Sequence, residues 1–332
     1  MVERPARVAE RALRLVEVPE PEPGPGQVAV RVQVCGVCRT DLHVVEGDLP
    51  QVRARVVPGH QAVGEVERVG AGVRGLWPGQ RVGVTWLGAA CGVCRFCAGG
   101  RENLCTEARF TGWTIDGGFA EVLCAEAAFV HPLPEAADAV HLAPLLCAGI
   151  IGHRCLEHTG VGRRPGARLC IYGFGAAGHV VLQVARGRGL EVYVATRDAV
   201  RHQPLARELG AAWVGDATAT PPVPMDAGIV FAPAGELVPV ALGHLDRGGV
   251  LVLGGIHMSP IPSLPYAGLY HERVVRSVAN HTRADARAFL AEAAALPVRT
   301  QVEEAGFADL PDVLVRLAGD GVRGAAVIRV RG

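Results

Sequence analysis

Arg168-Leu169-Cys170-Ile171-Tyr172-Gly173-Phe174-Gly175-Ala176-Ala177-Gly178 is an apolar run that stops on three glycines spaced G-x-G-x-x-G. The run reads as a buried strand, and the small residues after it open a helix. In that setting each glycine has its own task. Gly173 makes the tight turn, Gly175 lets the backbone approach a pyrophosphate, and Gly178 packs helix on strand. The helix N-terminus then faces the anion. A tight strand–helix turn without a ligand is the plainer reading, and the strand before it and helix after it favour the dinucleotide.

Downstream of residue 150 the texture is strand–helix alternation. Ala176 to Arg186 reads as a helix, Glu191 to Ala195 as a strand, and Leu205 to Gly210 as a helix closed by glycine. Ala227 to Phe231 and Gly249 to Leu253 read as buried strands, Ala284 to Ala295 as a helix, and Ala325 to Val330 as a last strand. Such alternation predicts an α/β doubly wound parallel sheet. An acid that binds a ribose 2′-hydroxyl should end the second strand. Here that strand ends Ala195-Thr196-Arg197, with Asp198 arriving late. A hydroxyl and a guanidinium suit a 2′-phosphate, so NADP(H) is favoured and NAD(H) is the alternative.

Upstream, residues 1–130 read as mainly β. Val28 to Val34, Val63 to Val69 and Gln80 to Val84 alternate between Pro-Gly and Gly-rich turns. Cys91, Cys94, Cys97 and Cys105 interrupt this texture with four thiols in a short Gly-rich loop. A closed all-cysteine set leaves no open position, which predicts a structural zinc. An iron–sulfur cluster and a nucleic-acid zinc ribbon are weaker readings, the latter for want of a basic patch with aromatic platforms.

Bulk properties narrow the class. At 332 residues, two domains are the natural prior. Hydrophobic residues at 49% and charged residues at 20% describe a compact, core-rich protein. All 33 basic residues are arginine and balance 33 acids, so there is no basic field for nucleic acid or an anionic membrane. The N-terminus lacks the apolar run of a signal peptide, and no stretch approaches the roughly 18 apolar residues of a membrane span. A cytoplasmic protein is expected, in which cysteines read as metal ligands or core before disulfides.

Cys35-Gly36-Val37-Cys38-Arg39-Thr40-Asp41-Leu42-His43 places thiols, a cation, a hydroxyl, a carboxylate and an imidazole in one short stretch. A thiolate selects a zinc-like ion, and a nearby hydroxyl and imidazole can carry a proton away from something bound to it. Two buried cysteines would give the same spacing.

With Cys38, the four-cysteine lobe and the glycine cradle in this order, the chain resembles the zinc-dependent medium-chain alcohol dehydrogenases nearly end to end. The resemblance implies a GroES-like β-rich catalytic domain (1–150 and 285–332) and a Rossmann domain (151–284), with the active site in the cleft between them. It implies that Cys38, His60 and Cys147 bind a catalytic zinc, three ligands plus one open position. Two zinc ions per chain follow. It assigns Arg39 to the cofactor pyrophosphate, Thr40 to the reacting oxygen, His43 to the far end of a proton relay, and Asp41 to orienting His60. Arg283 looks like a second phosphate contact, and Gly255 the strand end flanking the nicotinamide. Cys147 argues for the alcohol/aldehyde branch, because the polyol branch commonly has Glu there.

Gln61 departs from the pattern, which usually has Glu after the histidine ligand. The neutral amide leaves the ion more electrophilic and ligand exchange slower. The expected pocket wall is Leu49, Trp86 and Leu87. Ethanol-specialised members often have a bulky aromatic where Leu49 sits, so leucine suggests room for a longer or aromatic alcohol. Leu49 and Leu87 are otherwise ordinary core. The expected activity is reversible hydride transfer between an alcohol and NAD(P). The competing readings are a zinc-free quinone or enoyl reductase of the same superfamily and a non-catalytic cofactor-binding regulator. Relatives are dimers or tetramers, which makes a homo-oligomer the inherited expectation.

Overall fold

The computed structural model describes every residue except Pro297 and Gly332. Along the chain the strands are β1 (Gln27–Val37), β2 (Ala62–Val69), β3 (Arg81–Val84), β4 (Leu87–Ala89), β5 (Arg109–Phe110), β6 (Val122–Glu126), β7 (Val130–Pro132), β8 (Arg168–Tyr172), β9 (Glu191–Ala195), β10 (Trp213–Gly215), β11 (Met225–Val230), β12 (Leu245–Leu253), β13 (Val274–Ser277), β14 (Val302–Gly306) and β15 (Ala325–Arg329). The longer helices are α1 (Arg39–Glu46), α2 (Ala148–His158), α3 (Ala176–Gly187), α4 (His202–Glu208), α5 (Leu237–Gly243), α6 (Arg283–Ala295) and α7 (Leu310–Ala318).

The chain divides into two compact units. The first holds residues 1–147, 280–287 and 300–332; the second holds 148–279 and 288–299. The return from the second unit is therefore not a single crossing near 285. Helix α6 is divided, its first turn belonging to one unit and its remainder to the other.

In the first unit seven strands form one sheet in the order β14-β15-β1-β2-β3-β7, with β6 also on β1. Strand β1 is rich in valine, which suits a pleated, packed surface, and it is buried at Val28, Val30, Val32 and Val34. A small β4–β5 pair leads to the cysteine lobe.

In the second unit six strands, all parallel, run β10-β9-β8-β11-β12-β13. Leu169, Cys170, Ile171 and Tyr172 of β8 are all 0% exposed, as expected of a central parallel strand covered on both faces. The edge strand β13 and the short β10 escaped the sequence reading. Neither has the apolar run that marks β8 or β11.

Two buried histidines make the fold acid-sensitive. Burial pushes His179 in α3 down to about 4. Burial, then the Arg287 and Arg283 charges, push His131 in β7 down to about 4. Each is neutral when folded, whereas the unfolded side chain protonates near 6.5. Their stabilisation is complete above pH 6.5 and is lost as pH falls toward 4, on the order of 3 kcal/mol each. The thermal unfolding midpoint should drop over this window, and less steeply in a His131→Gln/His179→Gln variant. An unchanged slope in the double variant contradicts this assignment.

Candidate functional site

The first site is built by strand register. Strands β1 and β2 are antiparallel, with Cys35 opposite Ala62. Cys38, just past the end of β1, therefore meets His60, just before β2. Cys38 is also the N-cap of α1, which carries Arg39, Thr40, Asp41 and His43 in its first turns. Cys147 comes from a third segment. Leu146 before it is 0% exposed, and its Cδ2 occupies the space where a Cβ on Gly83 of β3 would lie, 2.6 Å away.

His60 is 1% exposed, and its Nε2 lies 3.4 Å from Cys38 Sγ and 3.4 Å from Cys147 Sγ. Zinc bonds of about 2.3 Å to sulfur and 2.0–2.1 Å to nitrogen set a tetrahedral N···S edge of about 3.6 Å. The three ligand atoms fit one ion. Asp41, 1% exposed, holds the arrangement from behind. Its Oδ2 accepts the Cys38 N–H at 2.8 Å and its Oδ1 the Gly59 N–H at 3.2 Å. Oδ1 also lies 3.2 Å from His60 Nδ1, but off the line of a hydrogen bond, so that contact is electrostatic. Asp41 thus holds the histidine chiefly through the backbone of the preceding Gly59. In the metal-free set, the Cys147 hydrogen bond and then burial push the Cys38 thiol up. Burial lowers His60, but the Asp41 and Cys38 charges outweigh it and raise the imidazole to about 10. A divalent cation bound here would displace these protons and balance the charge of the two thiolates.

The four-cysteine lobe passes the same test. The sulfurs of Cys91 and Cys105 are 3.5 Å apart, Cys94 and Cys97 3.6 Å, and Cys91 and Cys97 4.0 Å. A tetrahedral all-sulfur zinc sets edges of about 3.8 Å. The Cys94 N–H donates to Cys91 Sγ, and the N–H groups of Cys91 and Glu107 donate to Cys105 Sγ, which suits thiolates.

On α1, Thr40 is half-buried, and His43 Nδ1 lies 2.8 Å from Asp48 Oδ2. Asp48 was not singled out in the sequence. Gly47, left-handed at φ 83°, ends α1 and returns the chain so that Asp48 meets His43. A glycine followed by a carboxylate just after a helix is the signal that could have found it. Arg39 pairs through Nη2 with Asp320. Arg283 is held more completely: its Nε and Nη2 clasp Glu102, its N–H donates to the same carboxylate, and its guanidinium lies 4.6 Å over Phe129.

Gln61 is 2% exposed. Its Oε1 lies 2.8 Å from where a Cβ on Gly36 would be, and its Nε2 has no hydrogen-bond partner. Trp86 meets His60 edge-on at 4.9 Å and stacks on Phe110 and Trp113 at 5.3 and 5.9 Å. Leu49 packs on the same core, whereas Leu87 is 1% exposed.

In the second unit the glycine cradle has the expected geometry. Gly173 has φ 89°, and a Cβ there would meet the Ala232 backbone at 2.8 Å. A Cβ on Gly178 would meet Gly173 O at 2.8 Å, whereas one on Gly175, the N-cap of α3, would find open space. These are the requirements for turn, close packing and phosphate approach, so the cradle fits a dinucleotide. Thr196 is buried, Arg197 is exposed, and Gly255 lies just past β12.

A model of the alcohol dehydrogenase GroES-like domain matches residues 24–135. A probable alcohol dehydrogenase of Mycobacterium tuberculosis is 49% identical over 310 residues, covering 92% of this chain and 89% of that protein. The chain belongs to the medium-chain alcohol dehydrogenase family. An alcohol dehydrogenase of Geobacillus stearothermophilus is 34% identical over 331 residues, 97% of each chain. A cinnamyl alcohol dehydrogenase structure from Sorghum bicolor superposes with a TM-score of 0.89 at 29% identity, covering 98% of this chain and 96% of that one. In this dehydrogenase, Asp41→Ala should lower zinc affinity at the Cys38 site about 10–100-fold. After mild chelation the variant should lose that metal and keep the four-cysteine metal; equal retention at both sites contradicts the role given to Asp41.

Proposed function

We propose that this NAD(P)-dependent alcohol oxidoreductase is zinc-dependent, uses NADP(H), and acts on a longer or aromatic alcohol or the corresponding aldehyde or ketone. The carrying observation is that Cys38, His60 and Cys147 bring their ligand atoms within 4.8 Å of one another. A zinc-free reductase has no use for that set. The four sulfurs of the second lobe support a second, structural zinc.

When bound, zinc supplies Lewis acidity and the nicotinamide supplies the hydride acceptor or donor. The chain's own residues orient the substrate and move the proton. Cys38, His60 and Cys147 would hold the ion, three ligands that leave a tetrahedral zinc its fourth position. Thr40, two residues past Cys38 on α1, would exchange a hydrogen bond with the reacting oxygen. It shares one face of α1 with His43 by its i, i+3 spacing. Asp48 accepts from His43 Nδ1, so Nε2 is the nitrogen that would take the proton in alcohol oxidation. A ribose hydroxyl of the bound cofactor would supply the link between the two.

Gly173, Gly175 and Gly178 support a pyrophosphate at α3. Arg39 holds Asp320 with one nitrogen and keeps its other donors for phosphate. Arg283 can join only through Nη1 or by releasing Glu102. Thr196 and Arg197 support the 2′-phosphate, and Gly255 the nicotinamide end. Leu49 with the Trp86–Phe110–Trp113 stack supports an apolar, flat substrate, as does the likeness to a cinnamyl alcohol dehydrogenase; Leu87 is the pocket residue its burial supports least.

A homo-oligomer is supported by the edge of the parallel sheet, where Val274 of β13 is exposed and Tyr266 and Tyr270 lie nearby in the chain. Ten free cysteines are consistent with a reducing, cytoplasmic setting.

Thr40→Val should lower kcat about 10²-fold or more with both metals retained, because the proton path loses its first hydroxyl. Unchanged turnover contradicts the relay. Gln61→Glu should alter kcat more than zinc content, since a carboxylate there would sit buried behind the ion. Unchanged kinetics would remove any role for Gln61.

A further inference from the structure

We propose that Asp198 is not a ribose-binding carboxylate but the anchor of a cationic turn, in which Arg201 and His202 join Arg197 in reading the 2′-phosphate of NADP(H). This rests on the NADP(H) reading above and extends it to residues that the strand-end rule does not touch.

The carboxylate is already engaged. Asp198 Oδ1 accepts the N–H groups of Val200 and Arg201 at 3.0 and 2.8 Å, and Oδ2 accepts Arg201 Nε at 2.8 Å. The side chain is 11% exposed, against 38% for Arg201. A carboxylate offers about four acceptor sites, so three are in use and a ribose diol would have to displace them. Burial alone would raise this acid, but the hydrogen bonds from Arg201 outweigh it and hold it at about 2, a permanent anion. Left alone, that anion would repel a phosphate. Here it is matched by the guanidinium it holds.

The turn around it is tied at several points. The Thr196 N–H donates to Gly215 O, Gln203 Nε2 to Thr196 O, and the Gln203 N–H to Asp198 O, at 2.9–3.0 Å. Arg201 is gripped by Nε, and neither of its Nη donors is bonded among the described residues. His202 follows with a buried Nε2 that has no hydrogen-bond partner among the described residues, an atom that is costly to leave unmatched. The Arg201 guanidinium offsets the Asp198 carboxylate, so the turn does not repel a phosphate. An arginine nitrogen pair recognises a phosphate bidentately, whereas a ribose hydroxyl offers it no charge.

Asp198 therefore acts as a positioning residue for cofactor choice, and its effect runs opposite to the usual one. Removing a carboxylate at this end of the strand ordinarily helps NADP(H); here it should harm it. The test is calorimetric binding of adenosine 2′,5′-bisphosphate and adenosine 5′-monophosphate to the zinc-loaded enzyme, with NADP(H) and NAD(H) kinetics alongside. Arg201→Gln should weaken the bisphosphate about tenfold or more and Asp198→Asn about fivefold, with the monophosphate changed by less than about twofold. KM for NADP(H) should rise in step while KM for NAD(H) holds. Tighter bisphosphate binding by Asp198→Asn, selective loss of the monophosphate, equal losses of both ligands, or no change in either variant overturns the anchor. A wild-type enzyme that favours the monophosphate overturns the NADP(H) reading and the anchor together. A wild type that favours the bisphosphate, with unaffected variants, overturns the anchor alone.

Discussion

The buried carboxylate of Asp41 is the constraint on which the Cys38–His60–Cys147 cluster depends. It ties the Cys38 amide, at the end of one strand, to the Gly59 amide, just ahead of another. Removing it would leave two backbone donors without their acceptor, each worth about 1–3 kcal/mol. It would also free the two segments that carry Cys38 and His60. The negative charge has a second effect. Close to His60 and to the Cys35 and Cys38 thiols, it raises the attraction of the site for a cation without coordinating one.

Around that tie, each part of the centre has a structural cause. The β1–β2 register makes Cys38 and His60 neighbours. Leu146 seated on Gly83 delivers Cys147. Helix α1 starts at the first ligand and carries Thr40 and His43 on one face, and the Gly47 turn supplies Asp48 to the far imidazole. The cysteine lobe has its own local logic, but Glu102 within it grips Arg283 and caps the first turn of α6. A residue that the resemblance assigned to the cofactor thus has a structural partner as well.

The fold was legible where the local pattern is strong. Strands β8 and β9 and the glycine turn carry continuous apolar runs or fixed spacings, and they lie where the sequence puts them. Spacing also exposed the four-cysteine lobe. The clustering of Cys38, His60 and Cys147 was legible only through family likeness, since the three are far apart in sequence and each alone reads as core. Pairings made by tertiary folding were not legible. Glu102 with Arg283, Asp320 with Arg39, and the Trp86–Phe110–Trp113 stack have no periodic signature. Asp198 shows the limit of a positional rule: its place near the strand end was plain, but its hydrogen bonds to Val200 and Arg201 depend on the shape of the turn.

Zinc K-edge X-ray absorption on the purified chain tests the central claim most directly, because it counts ligand types without reference to activity. One closed site of four sulfurs and one open site of two sulfurs and an imidazole predict, averaged over two zinc ions, about three sulfurs and about half an imidazole nitrogen per zinc. A spectrum with sulfur ligands alone, or a chain without zinc, would contradict the account.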